Sequence, residues 1–365
     1  MRRYSWIMAV LLLVLLTGAL GVAAQDEPPP PVLAVLASAP DTPEARQELS
    51  YADYQALTGG IASEQAWMDA LSGNLISGPA LSDFLDRVSD QESLIGVPLF
   101  SVAQAATWGQ VPAQTTLLQG LFDADAIAAA YAAREYSASP VGAFTLFCGP
   151  AGCDEGTAIN PGERELGDPF GGHLGRQQPV LLAGQGDQMQ LISSPVLEVL
   201  DASAGAAAGD VPSLADDAAY QAAVRAVTGT GTLLQAHFLN AKAFGPVPEG
   251  EALPPYALAV LAETEITEGL LATVTLVYPT LAGAEAAAGA VEGRMEAVVS
   301  EFSSMSFTAL LKDRGVLFTT SAIEDADTGL GLTQIVFRAP DGEDSPYRLL
   351  VQGWMRLDLS WLALP

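Results

Sequence analysis

Lysine, histidine and cysteine are close to missing from this sequence, which holds only Lys242 and Lys312, His173 and His237, and Cys148 and Cys153. Each shortage removes a class of function. Charged residues make up 16% of the chain, against about 25% in an ordinary soluble protein, and the deficit falls on the bases. A formal charge of −28 without basic clusters argues against nucleic acid and anionic lipid headgroups as partners, because both are gripped through grouped Lys and Arg. Removing Arg2 and Arg3 by processing would leave 13 bases against 43 acids. The plain reading is a solvated acidic surface that keeps an exported chain dispersed.

Two histidines leave little room for catalysis through imidazole. No Gly-x-Ser-x-Gly elbow accompanies them, which argues against a Ser-His-Asp hydrolase. Strand alternation groups His237 with Leu233, Gln235 and Leu239, so it reads as a half-buried sheet residue. Zinc takes three or four grouped ligands, and His173 stands 20 residues beyond Cys153 with no second pair nearby. Gly229-Thr230-Gly231 and Gly329-Leu330-Gly331 lack the continuation of a phosphate or dinucleotide loop and mark turns. Asp325, Asp327 and Gly329 open like a calcium loop, but the twelfth position is Val336, so a hairpin turn is expected there. No cofactor is expected, and calcium is the one ion left open.

Long apolar runs are also scarce. The one present, Trp6 to Leu20, lies between Arg2-Arg3 and Val22-Ala23-Ala24, the form of a signal peptide cleaved after Ala24. It is shorter than the roughly 20 residues of a membrane-spanning helix, so no span is expected after cleavage. Retention of the segment as an anchor is the alternative. The expected location is outside the cytoplasm: extracellular, periplasmic or associated with the cell envelope. There Cys148 and Cys153, around the turn-forming Gly149-Pro150-Ala151-Gly152, should form a disulfide, worth roughly 2 kcal/mol in chain entropy.

What remains reads as an α+β fold of two sheet-and-helix units with mostly antiparallel sheets. The expected order is a signal peptide over 1–24, a Pro-rich spacer over 25–48, a first unit with the disulfide loop over 49–205 and a second over 206–365. Helices are expected over 80–88, over 123–136 behind Asp123, over 194–201, over 213–227 behind a Ser213/Asp216 capping box, and over 283–298. Strands are expected over 111–122, 143–147 and 231–239, with hairpins over 179–192, 256–278 and 316–337. The tail, 347–364, alternates loosely and suggests a last strand. Thr116-Leu117-Leu118-Gln119 recurs as Thr232-Leu233-Leu234-Gln235, an echo that leaves internal duplication open.

The run from Pro212 to Tyr220, the Phe122-Asp123-Ala124-Asp125-Ala126-Ile127 start of a helix, and Phe170-Gly171-Gly172-His173-Leu174-Gly175-Arg176 resemble segments of uncharacterised exported bacterial α+β proteins. The resemblance implies export and fold class and carries no activity.

The candidate site is the loop from Asp154 to Gln178, longer than ordinary connections and rich in glycine. Asp154, Glu155, Glu163, Arg164, Glu165, Asp168, His173 and Arg176 gather there beside the cysteine pair. Two readings compete: internal ion pairs that merely hold the loop, or a cation or polar ligand site. The functional expectation is a non-enzymatic binding or envelope-associated module for an extracytoplasmic ligand or protein. The alternative is a secreted carboxylate-dependent hydrolase of glycosidase type, which needs a concave pocket with two facing carboxylates, one of raised pKa.

Overall fold

The computed structural model describes residues 29–59, 61, 63–75, 88–153, 156–185, 188–245, 252–300, 303–340 and 345–364. The signal segment and the helix expected over 80–88 lie outside the described residues, Val88 excepted. Folded structure begins at α1 (Pro31–Leu36), inside the stretch read as spacer. Proline suits a first helical turn, and Val32, Val35 and Leu36 fall on one face that is buried. Ala39 is buried too, and the Asp41 amide donates to the Pro212 carbonyl at 2.9 Å, so this segment is packed into the fold.

In chain order the elements are β1 (Glu48–Asp53), α2 (Tyr54–Leu57), α3 (Glu64–Asn74), α4 (Val88–Ile95), β2 (Val102–Trp108), β3 (Thr115–Gly120) and α5 (Ala124–Ala133). Next come β4 (Ser137–Val141), β5 (Phe144–Cys148), β6 (Val180–Gln185), β7 (Gln188–Ser193), α6 (Leu197–Ala208) and α7 (Ala218–Thr228). The chain closes with β8 (Thr232–Leu239), β9 (Leu258–Ile266), β10 (Gly269–Tyr278), α8 (Leu281–Ala297), α9 (Phe307–Asp313), β11 (Leu317–Glu324), β12 (Gly331–Arg338) and α10 (Tyr347–Met355).

The strands form one 12-stranded sheet, not two, in the order β11-β12-β10-β9-β8-β1-β2-β3-β7-β6-β5-β4, with every neighbouring pair antiparallel. Its wiring repeats. β1, β2 and β3 lie side by side, α5 carries the chain to the far edge, and β4 to β7 return strand by strand to β3. β8, β9 and β10 do the same, α8 and α9 lead to the opposite edge, and β12 returns to β10. The halves join where β1 pairs with β8, Ser50 facing His237. The tetrapeptide echo does not follow this repeat. One copy sits in β3, the third strand of its half, and the other in β8, the first strand of its half.

Two apolar layers cover the sheet. On one face α1, α6 and α7 pack over the centre through Val35, Leu200, Tyr220 and Val224. On the other, α2, α3 and α5 cover the first half through Tyr54, Leu71 and Ile127, and α8 to α10 cover the second through Ala287, Val291 and Leu350. The tail is therefore helical where a strand was expected: Tyr347, Leu350 and Val351, at helical spacing, are buried. Arg294 of α8 holds the segment beyond it, donating to the Trp361 carbonyl at 2.7 Å and the Ala363 carbonyl at 3.3 Å. Among the described residues no helix is long and apolar enough to cross a membrane.

Candidate functional site

Cys148 and Cys153 are joined in a disulfide at the end of β5, Cα atoms 4.8 Å apart, and the long loop leaves from it. Two short 3-10 turns, Pro161–Glu163 and Gly172–Leu174, give the loop its shape. Gly175 closes it in a left-handed conformation at φ 68°, where any Cβ would collide with the Asn160 carbonyl. Asp154 and Glu155 lie outside the described residues, as does the side chain of His173.

Two of the loop's carboxylates, Asp168 and Glu165, are held by a residue the sequence did not single out. Asp168, buried at 2% exposure, accepts from Arg134 Nη2 at 2.6 Å and from the Phe170 amide at 2.8 Å. Arg134 Nη2 also pairs with Glu165 at 2.7 Å, and its Nη1 donates to the Leu94 carbonyl at 3.0 Å. The guanidinium lies 5.2 Å from the Tyr136 ring and 5.8 Å from the Tyr131 ring. Arg134 caps the end of α5, so one helix terminus pins the loop to the first half of the sheet. Glu163 accepts from Gln177 at 3.3 Å, Arg164 is exposed, and Arg176 is half-buried. Among the described residues of the loop, Glu165 and Asp168 share Arg134, Glu163 meets Gln177, and the ion pairs run to Arg134 of α5.

Asp325 is likewise occupied. It accepts from Arg225 Nε at 2.9 Å and Nη2 at 2.6 Å, and from the Thr328 amide and hydroxyl at 3.0 and 2.5 Å, the geometry of a pinned hairpin turn. These hydrogen bonds hold its carboxyl down to about 2.

Polar groups do converge at the seam between the two helical covers. There a cavity of about 350 Å³ is walled by the end of α2, Gly73 and Asn74 of α3, Leu234, Glu263, Glu265 and Leu270 of β8 to β10, and Ser345 and Arg348 at the start of α10. Its floor is Glu263, at 2% exposure, whose Oε2 accepts from Gln235 Nε2 at 2.6 Å. The same Nε2 donates to the Asn74 carbonyl at 2.9 Å, tying α3 to the sheet beneath. Arg348 Nη2 donates to the Gly73 carbonyl at 3.2 Å from the opposite cover. Burial pushes the Glu263 carboxyl up, and hydrogen bonds from Ser345 and Gln235 and the Arg348 charge only partly offset it. Among the described lining residues two carboxyl groups stand against one guanidinium.

Beside it, His237 lies on the same sheet face as Gln235 and Leu239, fully buried rather than half-buried, with its ring 4.8 Å from Trp354 and 6.3 Å from Tyr347. Leu233 faces the other side, because the β8·β9 register shifts between Leu233 and Gln235. Burial lowers the His237 pKa to about 4, which keeps the imidazole neutral. Trp67, Trp108 and Trp361 are buried core residues. Trp354 is half-buried and borders an open groove with Lys242, Met355 and Leu357.

Glu263 was legible only as an acid closing an otherwise apolar strand, Leu258 to Ala262, and Gln235 as a polar residue inside another. That pairing of inward polar positions was the available signal. No family model matches the chain, and no curated protein matches it. A crystal structure of TP0453, crystal form I, is similar over 92% of this chain and 100% of that one, at 10% identity and a TM-score of 0.36. A likeness of that degree carries no argument about fold or function.

Proposed function

We propose that the chain acts outside the cytoplasm as a non-enzymatic binding module, and that the Glu263 cavity receives a small polar ligand bearing a positive group. The carrying observation is the buried Glu263 carboxylate, held by the Gln235 amide and the Ser345 hydroxyl with the Arg348 charge only partly offsetting its burial, beside a cavity of about 350 Å³. Volumes of a few hundred cubic ångström suit small metabolites. An ammonium group would complete the charge balance, while Asn74, Ser345 and Arg348 supply polar contacts at the rim. Export rests on the signal-like segment and the disulfide.

The hydrolase reading finds one favourable observation, two carboxylates in one cavity with Glu263 raised. Their placement favours binding. Glu263 and Glu265 are alternate residues of β9 on one wall, so they cannot flank a scissile bond from opposite sides. The test is thermal: melting curves with putrescine, ethanolamine and glucosamine, each against glucose. The expected result is stabilisation by at least one amine, absent in Glu263→Gln. Hydrolysis of aryl glycosides abolished by Glu263→Gln would favour the alternative, and no stabilisation by any amine would contradict the binding reading.

A further inference from the structure

We infer that β11 is a dimerisation edge, where a second copy of this chain adds antiparallel and merges two 12-stranded sheets into one. An open sheet has two edges, and here they are built differently. β4 is short and carries Pro140, whose nitrogen has no hydrogen to offer a visiting strand. β11 has eight residues, no proline, and Glu324 at its end as its one charged residue. Among the described residues only β12 pairs with it. Its outer face presents Leu317 at 73% exposure and Ile323 at 40%, where protected edges carry lysine or proline. Phe318 and Ala322, on the other face, pack against the core and fix which side is which.

The occupant follows from the strand's own sequence. A two-fold axis perpendicular to the sheet leaves each face on its own side, so residues that oppose one another must alternate in step. With the axis at Thr320, Leu317 meets the second copy's Ile323 at both ends of the pair. Phe318 meets Ala322, Thr319 meets Ser321, and Thr320 meets its own counterpart. Both exposed apolar side chains are covered by each other, and no like charges oppose. Pro140 at the far edge keeps addition from continuing there, which closes the assembly as a dimer instead of a filament. The charge of −28 opposes approach, and salt screens it beyond about 8 Å at physiological strength.

Sedimentation equilibrium of the purified chain, over a series reaching about 100 μM, reads this directly. The expected result is a reversible monomer–dimer equilibrium that tightens with salt. The double variant Leu317→Lys with Ile323→Lys sets lysine against lysine at both ends and should weaken association by about tenfold or more, with the melting temperature of the monomer unchanged. Leu317→Glu with Ile323→Glu should do the same, and mixing the two variants should restore the dimer. A wild-type chain that stays monomeric throughout, a double variant that dimerises as tightly as wild type, or a mixture that stays monomeric would each overturn the assignment.

Discussion

The long loop and the seam cavity hold similar chemical groups and use them in opposite ways. In the loop, Asp168 and Glu165 sit within 2.6 and 2.7 Å of one guanidinium, and their charge is consumed in holding the loop to α5. In the cavity, Glu263 is held by the Gln235 amide and the Ser345 hydroxyl, with the Arg348 charge only partly offsetting its burial, and the proposed function rests on that remaining charge. Density of charge along a chain therefore says little about a site. Convergence across a sheet says more, and here it draws on residues as far apart as Asn74 and Arg348.

Replacing Arg134 tests the loop side of this contrast most severely. Arg134→Ala leaves Asp168 buried without its cation, and urea unfolding should show a loss of about 3 to 5 kcal/mol. A loss below about 1 kcal/mol would mean the anchor lies elsewhere. On the cavity side, His237 binds no proton in the fold until about pH 4, whereas the unfolded chain takes one near 6.5. Its contribution is present above pH 6.5 and is lost as pH falls toward 4, on the order of 3 kcal/mol. His237→Leu should flatten that limb in melting temperatures measured from pH 7 to 4.

Glu263 has the reverse sign. Burial raises its pKa, so the fold gains on protonation, and the charged form costs stability at neutral pH. Glu263→Gln should therefore be neutral to stabilising at pH 7, within about 1 kcal/mol, and lose that advantage below the ordinary glutamate range. Arg164, exposed on the loop, completes the series: Arg164→Ala should change stability by no more than about 0.5 kcal/mol in the same urea assay.

Much of the fold was readable because its signals are local. Asp123 does cap α5, Ser213 and Asp216 do form a capping box, and the hairpins β6·β7, β9·β10 and β11·β12 follow alternation and turn residues. The box closes a single 3-10 turn, and Asp217 caps the helix proper. What was missed depends on distant partners. Prolines hid α1, whose burial needs the sheet beneath it, and β2 is a run of Ala, Gln and Thr that is a strand because β1 and β3 flank it. The site was illegible for the same reason. Gln235 and Glu263, 28 residues apart, become partners only through the β8·β9 pairing.

Calorimetric titration of the wild-type chain and Glu263→Gln with putrescine, ethanolamine and glucosamine at pH 8 tests the central claim most directly. The account expects heat of binding with at least one amine for the wild type, weakening at pH 4, and none for a folded Glu263→Gln. Equal heats in both proteins, or no heat with any of the three, would contradict it.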